Sequence, residues 1–137
     1  MRTPTFVDTS GFYALLVSAD DQHERAVAIL RAARAARHCF VTTDYILDET
    51  ATLLKTRGPV HLIRPFFETV TASRVCQVIW TDRELFDQAQ AYFVSHLDHE
   101  YSFTDCLSFC AMAAQQTRDA LTKDTHFAAA GFRVLLG

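Results

Sequence analysis

Thr5-Phe6-Val7-Asp8-Thr9-Ser10-Gly11 is the stretch on which the reading of this chain turns. A short apolar run ends in Asp-Thr-Ser-Gly, and residues 12–18 resume with helix-forming character. That order reads as a strand entering a polar turn and then a helix, the first step of a β-α unit.

Outward from it the alternation repeats. Residues 23–37 carry Ala26, Ile29, Leu30 and Ala33 at helical spacing, with Asp20 and Asp21 as expected N-caps and Arg25, Arg31, Arg34 and Arg37 facing solvent. A second strand is expected at residues 39–41, followed by a helix with Ile46, Leu47, Leu53 and Leu54 on one side, ended by Gly58-Pro59. A Phe-rich helix at 60–70, a strand at 75–80, and a helix capped by Asp82 and running to about Leu97 come next. Thr104 and Asp105 open a further helix that runs to Thr117; short strands are expected at 120–122 and 132–135. Strands alternating with helices predict an α/β fold, a three-layer α/β/α sandwich around a mostly parallel sheet.

Composition agrees with one such unit. The chain has 137 residues, half of them hydrophobic and 21% charged, which suits a single folded domain over residues 1–137 and excludes a disordered chain. Thirteen basic against sixteen acidic residues leave a net charge of -3, so no overall positive field announces a nucleic-acid partner. Acids gathered around a bound cation would offset that objection. No secretory-signal pattern opens the sequence, and no apolar run approaches the roughly 20 residues that span a bilayer, so the cytoplasm is the expected compartment. Cys39, Cys76, Cys106 and Cys110 form no CxxC pair and are expected to be buried thiols.

In an open parallel sheet, ligands collect beyond the carboxyl ends of the strands. Asp8 closes the first strand, Asp124 follows the strand near Leu121, and Asp105 lies in the first turn of the preceding helix. Glu49 lies three residues after Ile46 and four before Leu53, near the buried face of its helix. A buried carboxylate needs a partner, and a hard divalent ion such as Mg²⁺ or Mn²⁺ shared with other carboxylates supplies one. Such a set can activate water against a phosphodiester, and there is no Ser-His-Asp, Cys-His or Gly-rich phosphate-loop pattern to compete with it. Singly, each acid has a blander reading: Asp8 as a turn residue, Asp105 as a cap, Asp124 as part of a polar loop.

Four segments together resemble a known family: Phe-Val-Asp-Thr-Ser-Gly at 6–11, Asp-Glu-Thr at 48–50, Ser-Phe-Thr-Asp-Cys at 102–106 and Thr-Lys-Asp-Thr-His-Phe at 122–127. In that order they resemble a PIN domain of the VapC type. The resemblance implies a ribonuclease toxin using Mg²⁺ or Mn²⁺, forming a homodimer and silenced by a cognate antitoxin protein. By position it implies Asp8, Glu49, Asp105 and Asp124 as the metal-binding catalytic acids, with Thr9, Ser10 and Thr104 beside them to orient a carboxylate or water.

Other residues have plainer readings. Asp44, Asp48, Asp98 and Glu100 are expected to be solvated surface acids, and His96 and His99 surface histidines. Phe66 and Phe67 suit an interface. Two rival functions remain open at this level: a Mg²⁺-assisted receiver-like phosphoacceptor using strand-end acids and Lys123, and an idle RNA- or partner-binding domain on the same scaffold. Glu49 within a helix speaks against the first, and the retention of all four acids against the second.

Overall fold

The computed structural model describes residues 3–137. In them, strands β1 (Thr5–Val7), β2 (Phe40–Thr43), β3 (Cys76–Ile79), β4 (Asp119–Leu121) and β5 (Arg133–Val134) alternate with helices. The helices are α1 (Thr9–Leu16), α2 (His23–Ala35), α3 (Asp44–Arg57), α4 (Ile63–Ala72), α5 (Arg83–Ser95), α6 (Phe103–Ala114) and α7 (Thr125–Ala129). The sheet order is β3-β2-β1-β4-β5, and every pairing is parallel, with Phe6 opposite Val41 on one side and Ala120 on the other.

Parallel neighbours need crossovers, and right-handed crossovers decide the layers. From β1 to β3 the chain steps one way along the sheet, so α1 to α4 cover one face; from β3 to β5 it steps back, so α5 to α7 cover the other. Contacts agree: α1 packs on α2 and α3, and α3 on α4, whereas α5 packs on α6 and α6 on α7. This is the expected three-layer sandwich, with a sheet that is parallel throughout. The direction reverses between β1 and β4, which opens the crevice where open α/β sheets take ligands.

Burial follows the layering. β1 and β2 are buried along their whole length because helices cover both faces, while the edge strands β3 and β5 are only partly covered. Phe6, Ile46, Leu54, Phe66, Leu107, Met112, Leu121 and Phe127 are among the large side chains fully withdrawn from water. Phe66 meets Phe12 edge to face at 5.2 Å, so it belongs to the core and not to an interface; Phe67 is 39% exposed.

Several local expectations need correction. α1 begins at Thr9, directly after β1, and not near residue 12. Gly11 makes this possible: a Cβ there would stand 2.0 Å from the Leu121 carbonyl oxygen, so the helix crosses the end of β4 at a distance only glycine allows. The helix expected at 60–70 is a 3-10 turn (Val60–Leu62) followed by α4, whose Pro65 falls in the first turn, where no helical N–H partner exists. α7 is a further difference: the sequence places Lys-Asp-Thr in a loop, whereas in the fold Asp124 caps a short helix. Asp20 and Asp21 do not cap α2; Gln22 precedes it without a side-chain bond, and the two acids pair with the Lys123 ammonium at 3.0 Å each. Of the four free cysteines only Cys106 is buried; Cys76 and Cys110 are half-buried, and Cys39, ahead of β2, is exposed.

Candidate active site

Asp8 is the N-cap of α1 by backbone geometry, with φ -90° and ψ 171°, but its side chain caps nothing. The carboxylate is left free to turn into the crevice, where its Oδ2 accepts a 2.8 Å hydrogen bond from the Thr122 hydroxyl. Thr122 follows β4, so this bond ties the ends of the two strands that flank the reversal. Its Oγ1 also stands 3.0 Å from Ser10 Oγ and accepts the Asp124 backbone N–H at 2.9 Å. Ser10 Oγ in turn accepts the Lys123 N–H at 2.8 Å. A hydroxyl pair thus fastens the β1 exit to the β4 exit and holds Asp8 and Asp124 in register.

Glu49 reaches the crevice from α3, where Thr9 donates to its Oε1 at 2.9 Å. Asp105 enters from the first turn of α6. A reciprocal capping box fixes it there: its N–H donates to Ser102 Oγ at 3.0 Å, and its Oδ2 accepts the Ser102 N–H at 3.1 Å. Asp124 caps α7, with Oδ1 accepting the His126 N–H at 2.8 Å. Asp8, Glu49, Asp105 and Asp124 therefore line one cleft of about 380 Å³, together with Thr9, Ser10, Leu53, Glu100, Ser102 and His126. Of the three hydroxyl candidates, Thr9 bonds Glu49 and Ser10 belongs to the strand-exit pair, while Thr104 stands in the first turn of α6 beside Asp105.

The electrostatics are those of crowded like charges. Burial lifts the Asp8 carboxyl from its ordinary 3.8 to about 7, helped by the charges of Asp105 and Asp124 and opposed by the Thr122 bond. Burial likewise raises Glu49 and Asp105, with Asp105 pressing on Glu49 and Asp124 pressing on Asp105. No lysine or arginine lines this cleft among the described residues. Lys123, one residue from Asp124, is committed to Asp20 and Asp21.

Acidic oxygens with no lysine or arginine among them suit a divalent cation, and the donor chemistry fits one. Asp105, Asp124 and His126 each bring a ligand atom within 4.8 Å of the others. A covalent nucleophile does not fit: the Ser10 and Ser102 hydroxyls are held by backbone N–H groups.

Glu100 is exposed at the rim of this cleft, as a surface acid should be. His126 is the cleft residue that sequence reasoning misses, and its place two residues after Asp124 is the available signal. Asp44 is half-buried and accepts the Thr81 N–H and hydroxyl at 3.1 and 2.6 Å, a structural tie away from the cleft. His96 and His99 do not join the acids; they stack on Tyr92 and Tyr101. A separate apolar cleft of about 240 Å³, lined by Leu15, Leu16, Leu30 and Phe66 with Arg34, contains none of the four acids.

Comparison with known proteins agrees with this fold. Residues 5–133 match the PIN domain family. The 23S rRNA-specific endonuclease VapC20 of Mycobacterium tuberculosis is 35% identical over 127 residues, covering 93% of this chain and 94% of its own. The crystal structure of M. tuberculosis VapC20, described as a Sarcin-Ricin loop cleaving toxin, superposes with a TM-score of 0.83 at 31% identity over 97% of this chain and 99% of that one. FitAcB from Neisseria gonorrhoeae shares the fold, with a TM-score of 0.66 at 17% identity over 95% of both chains. The chain belongs to the PIN domain family, and its nearly full-length likeness to VapC20 makes it a VapC-like member.

Proposed function

We propose that residues 1–137 form one nuclease domain that hydrolyses RNA phosphodiester bonds with a divalent cation, Mg²⁺ or Mn²⁺, held by Asp8, Glu49, Asp105 and Asp124. The observation that carries the reading is the meeting of these four acids, from four separate elements, at the reversal between β1 and β4. When bound, the cation supplies positive charge that stabilises the phosphorane-like transition state. The chain's own part is to hold the acids: Thr122 orients Asp8, Thr9 orients Glu49, and the capping box orients Asp105. A carboxylate of the set takes the proton of the attacking water as the water oxygen bonds to phosphorus; the P–O ester bond opposite it breaks, and the departing ribose oxygen takes up a proton from solvent.

The substrate class follows the relatives. VapC20 is a 23S rRNA endonuclease, and the likeness extends over nearly the full length of both chains, so ribosomal RNA in the cytoplasm is the proposed target. As a VapC-like toxin the protein would act as a homodimer and be silenced by a cognate antitoxin protein. No helix is long and apolar enough to cross a membrane among the described residues.

The test is cleavage of intact ribosomes and of a sarcin–ricin-type RNA hairpin by purified protein with Mg²⁺ or Mn²⁺, with EDTA, and by Asp8→Asn. Cation-dependent cutting that disappears in Asp8→Asn is the expected result. Equal cutting by the variant would overturn the assignment of Asp8, and metal-independent cutting would overturn the chemistry.

A further inference from the structure

His126 sits between two of the acids. Its Nδ1 lies 3.1 Å from Asp105 Oδ2 and 3.4 Å from Asp124 Oδ1. This spacing has a meaning in coordination geometry. Ligand atoms about 2.1 Å from a shared ion stand about 3.0 Å apart when they subtend a right angle and about 3.4 Å apart at a tetrahedral angle. Two of the separations, from Nδ1 to each carboxylate oxygen, are those of adjacent ligands of one ion, and all three residues bring a ligand atom within 4.8 Å of the others.

The imidazole is held in this place by more than one contact. α7 starts at Asp124, and the His126 backbone N–H bonds back to Asp124 Oδ1, so the side chain rises beside the carboxylate that caps its own helix. Tyr101, buried, meets the ring edge to face at 5.7 Å and 77°. Nε2 makes no hydrogen bond to the described residues, so it is available to carry the proton of a neutral ring whose Nδ1 is a ligand.

Resting on the reading of the acids as a cation site, we propose that His126 is a nitrogen ligand of the ion held by Asp105 and Asp124, and that it biases the site toward Mn²⁺ over Mg²⁺. Mg²⁺ takes oxygen ligands almost exclusively, whereas imidazole suits the transition ions, so one nitrogen among carboxylates favours the softer cation. The bland alternative is that Nδ1–H only hydrogen-bonds Asp105 and keeps that carboxylate in place. The two differ in whether nitrogen touches the ion.

Pulsed electron paramagnetic resonance of Mn²⁺ bound to the full chain reads that contact through the coupling of the electron spin to ¹⁴N. The expected result is a directly bound imidazole nitrogen in the wild type that disappears in His126→Ala. With it, Mn²⁺ affinity in calorimetry falls about tenfold or more while Mg²⁺ affinity changes less than about threefold. His126→Asp, which restores an oxygen donor, should recover ion affinity without the nitrogen signal. Bound Mn²⁺ without nitrogen coupling in the wild type overturns the proposal and leaves the acid site standing, as does coupling that persists in His126→Ala. Failure of the wild type to bind Mn²⁺ or Mg²⁺ at all overturns both. The wild-type measurement does not depend on how well the variants fold.

Discussion

Replacing Asp8 by Asn should make the metal-free protein more stable at pH 8. The Asp8 carboxyl is 6% exposed, and its burial raises it from 3.8 in the ordinary range to about 7 in the fold. Between those values the folded protein holds a proton that the unfolded chain releases, so stability falls as pH rises through the window and the full penalty stands above about pH 7. Three pH units at about 1.4 kcal/mol each give a ceiling of roughly 4 kcal/mol. Asn keeps an oxygen for the Thr122 hydroxyl and offers an amide N–H₂ to the neighbouring carboxylates. Its own burial cost trims the gain, which is expected at about 2–4 kcal/mol at pH 8. Below about pH 3, where the wild-type carboxyl is protonated in both states, the two proteins should converge. Urea unfolding in EDTA at both pH values measures this directly. Mg²⁺ or Mn²⁺ at about a hundred times its dissociation constant should return roughly 2.7 kcal/mol to the wild type at pH 8, and much less to the variant. A variant no more stable than wild type at pH 8, or a difference that does not change with pH, would refute the account of Asp8 as a carboxylate strained by burial.

Two further outcomes probe how the site is held. Gly11→Ala puts a methyl group 2.0 Å from the Leu121 carbonyl oxygen and 2.9 Å from its carbon, backbone atoms with no freedom to move aside, so the variant should lose more than about 3 kcal/mol or fail to fold. A thermal melt within a few degrees of wild type would mean that α1 does not approach β4 so closely. Thr9→Val removes the donor 2.9 Å from Glu49 Oε1 while keeping the shape. The loss of a bond to the charged form raises the Glu49 carboxyl further, so the acid limb of the pH–rate profile should move to higher pH and kcat should fall about tenfold. An unmoved acid limb would exclude Glu49 from the ionised set.

Much of the layer plan was legible along the chain. Apolar runs punctuated by Asp-Thr-Ser-Gly, Gly58-Pro59 and Asp82 are local signals, and turns, caps and periodicity depend on neighbours a few residues apart. The α/β alternation, and with it a parallel sheet, needs no long-range knowledge. Asp8 at a strand exit, Asp105 in a first helical turn and Glu49 toward a buried face follow from the same local rules. What locality could not supply were the places where distant segments touch. The start of α1 depends on how closely Leu121 lies under Gly11, 110 positions away in the chain, and α7 forms because the β4 exit, anchored through Thr122 and Ser10, lets Asp124 cap it.

The same limit explains His126 and Lys123. In the sequence one is a histidine in a polar loop and the other a cation that could serve a phosphoacceptor site; in the fold one stands between Asp105 and Asp124 and the other is spent on Asp20 and Asp21. Residue types and local spacing determine which chemistry is present. Only the packing of β1 against β4, with α3 and α6 brought over their ends, decides which of those groups share a cleft, because charge interactions act over a few ångströms of space whatever the separation in sequence.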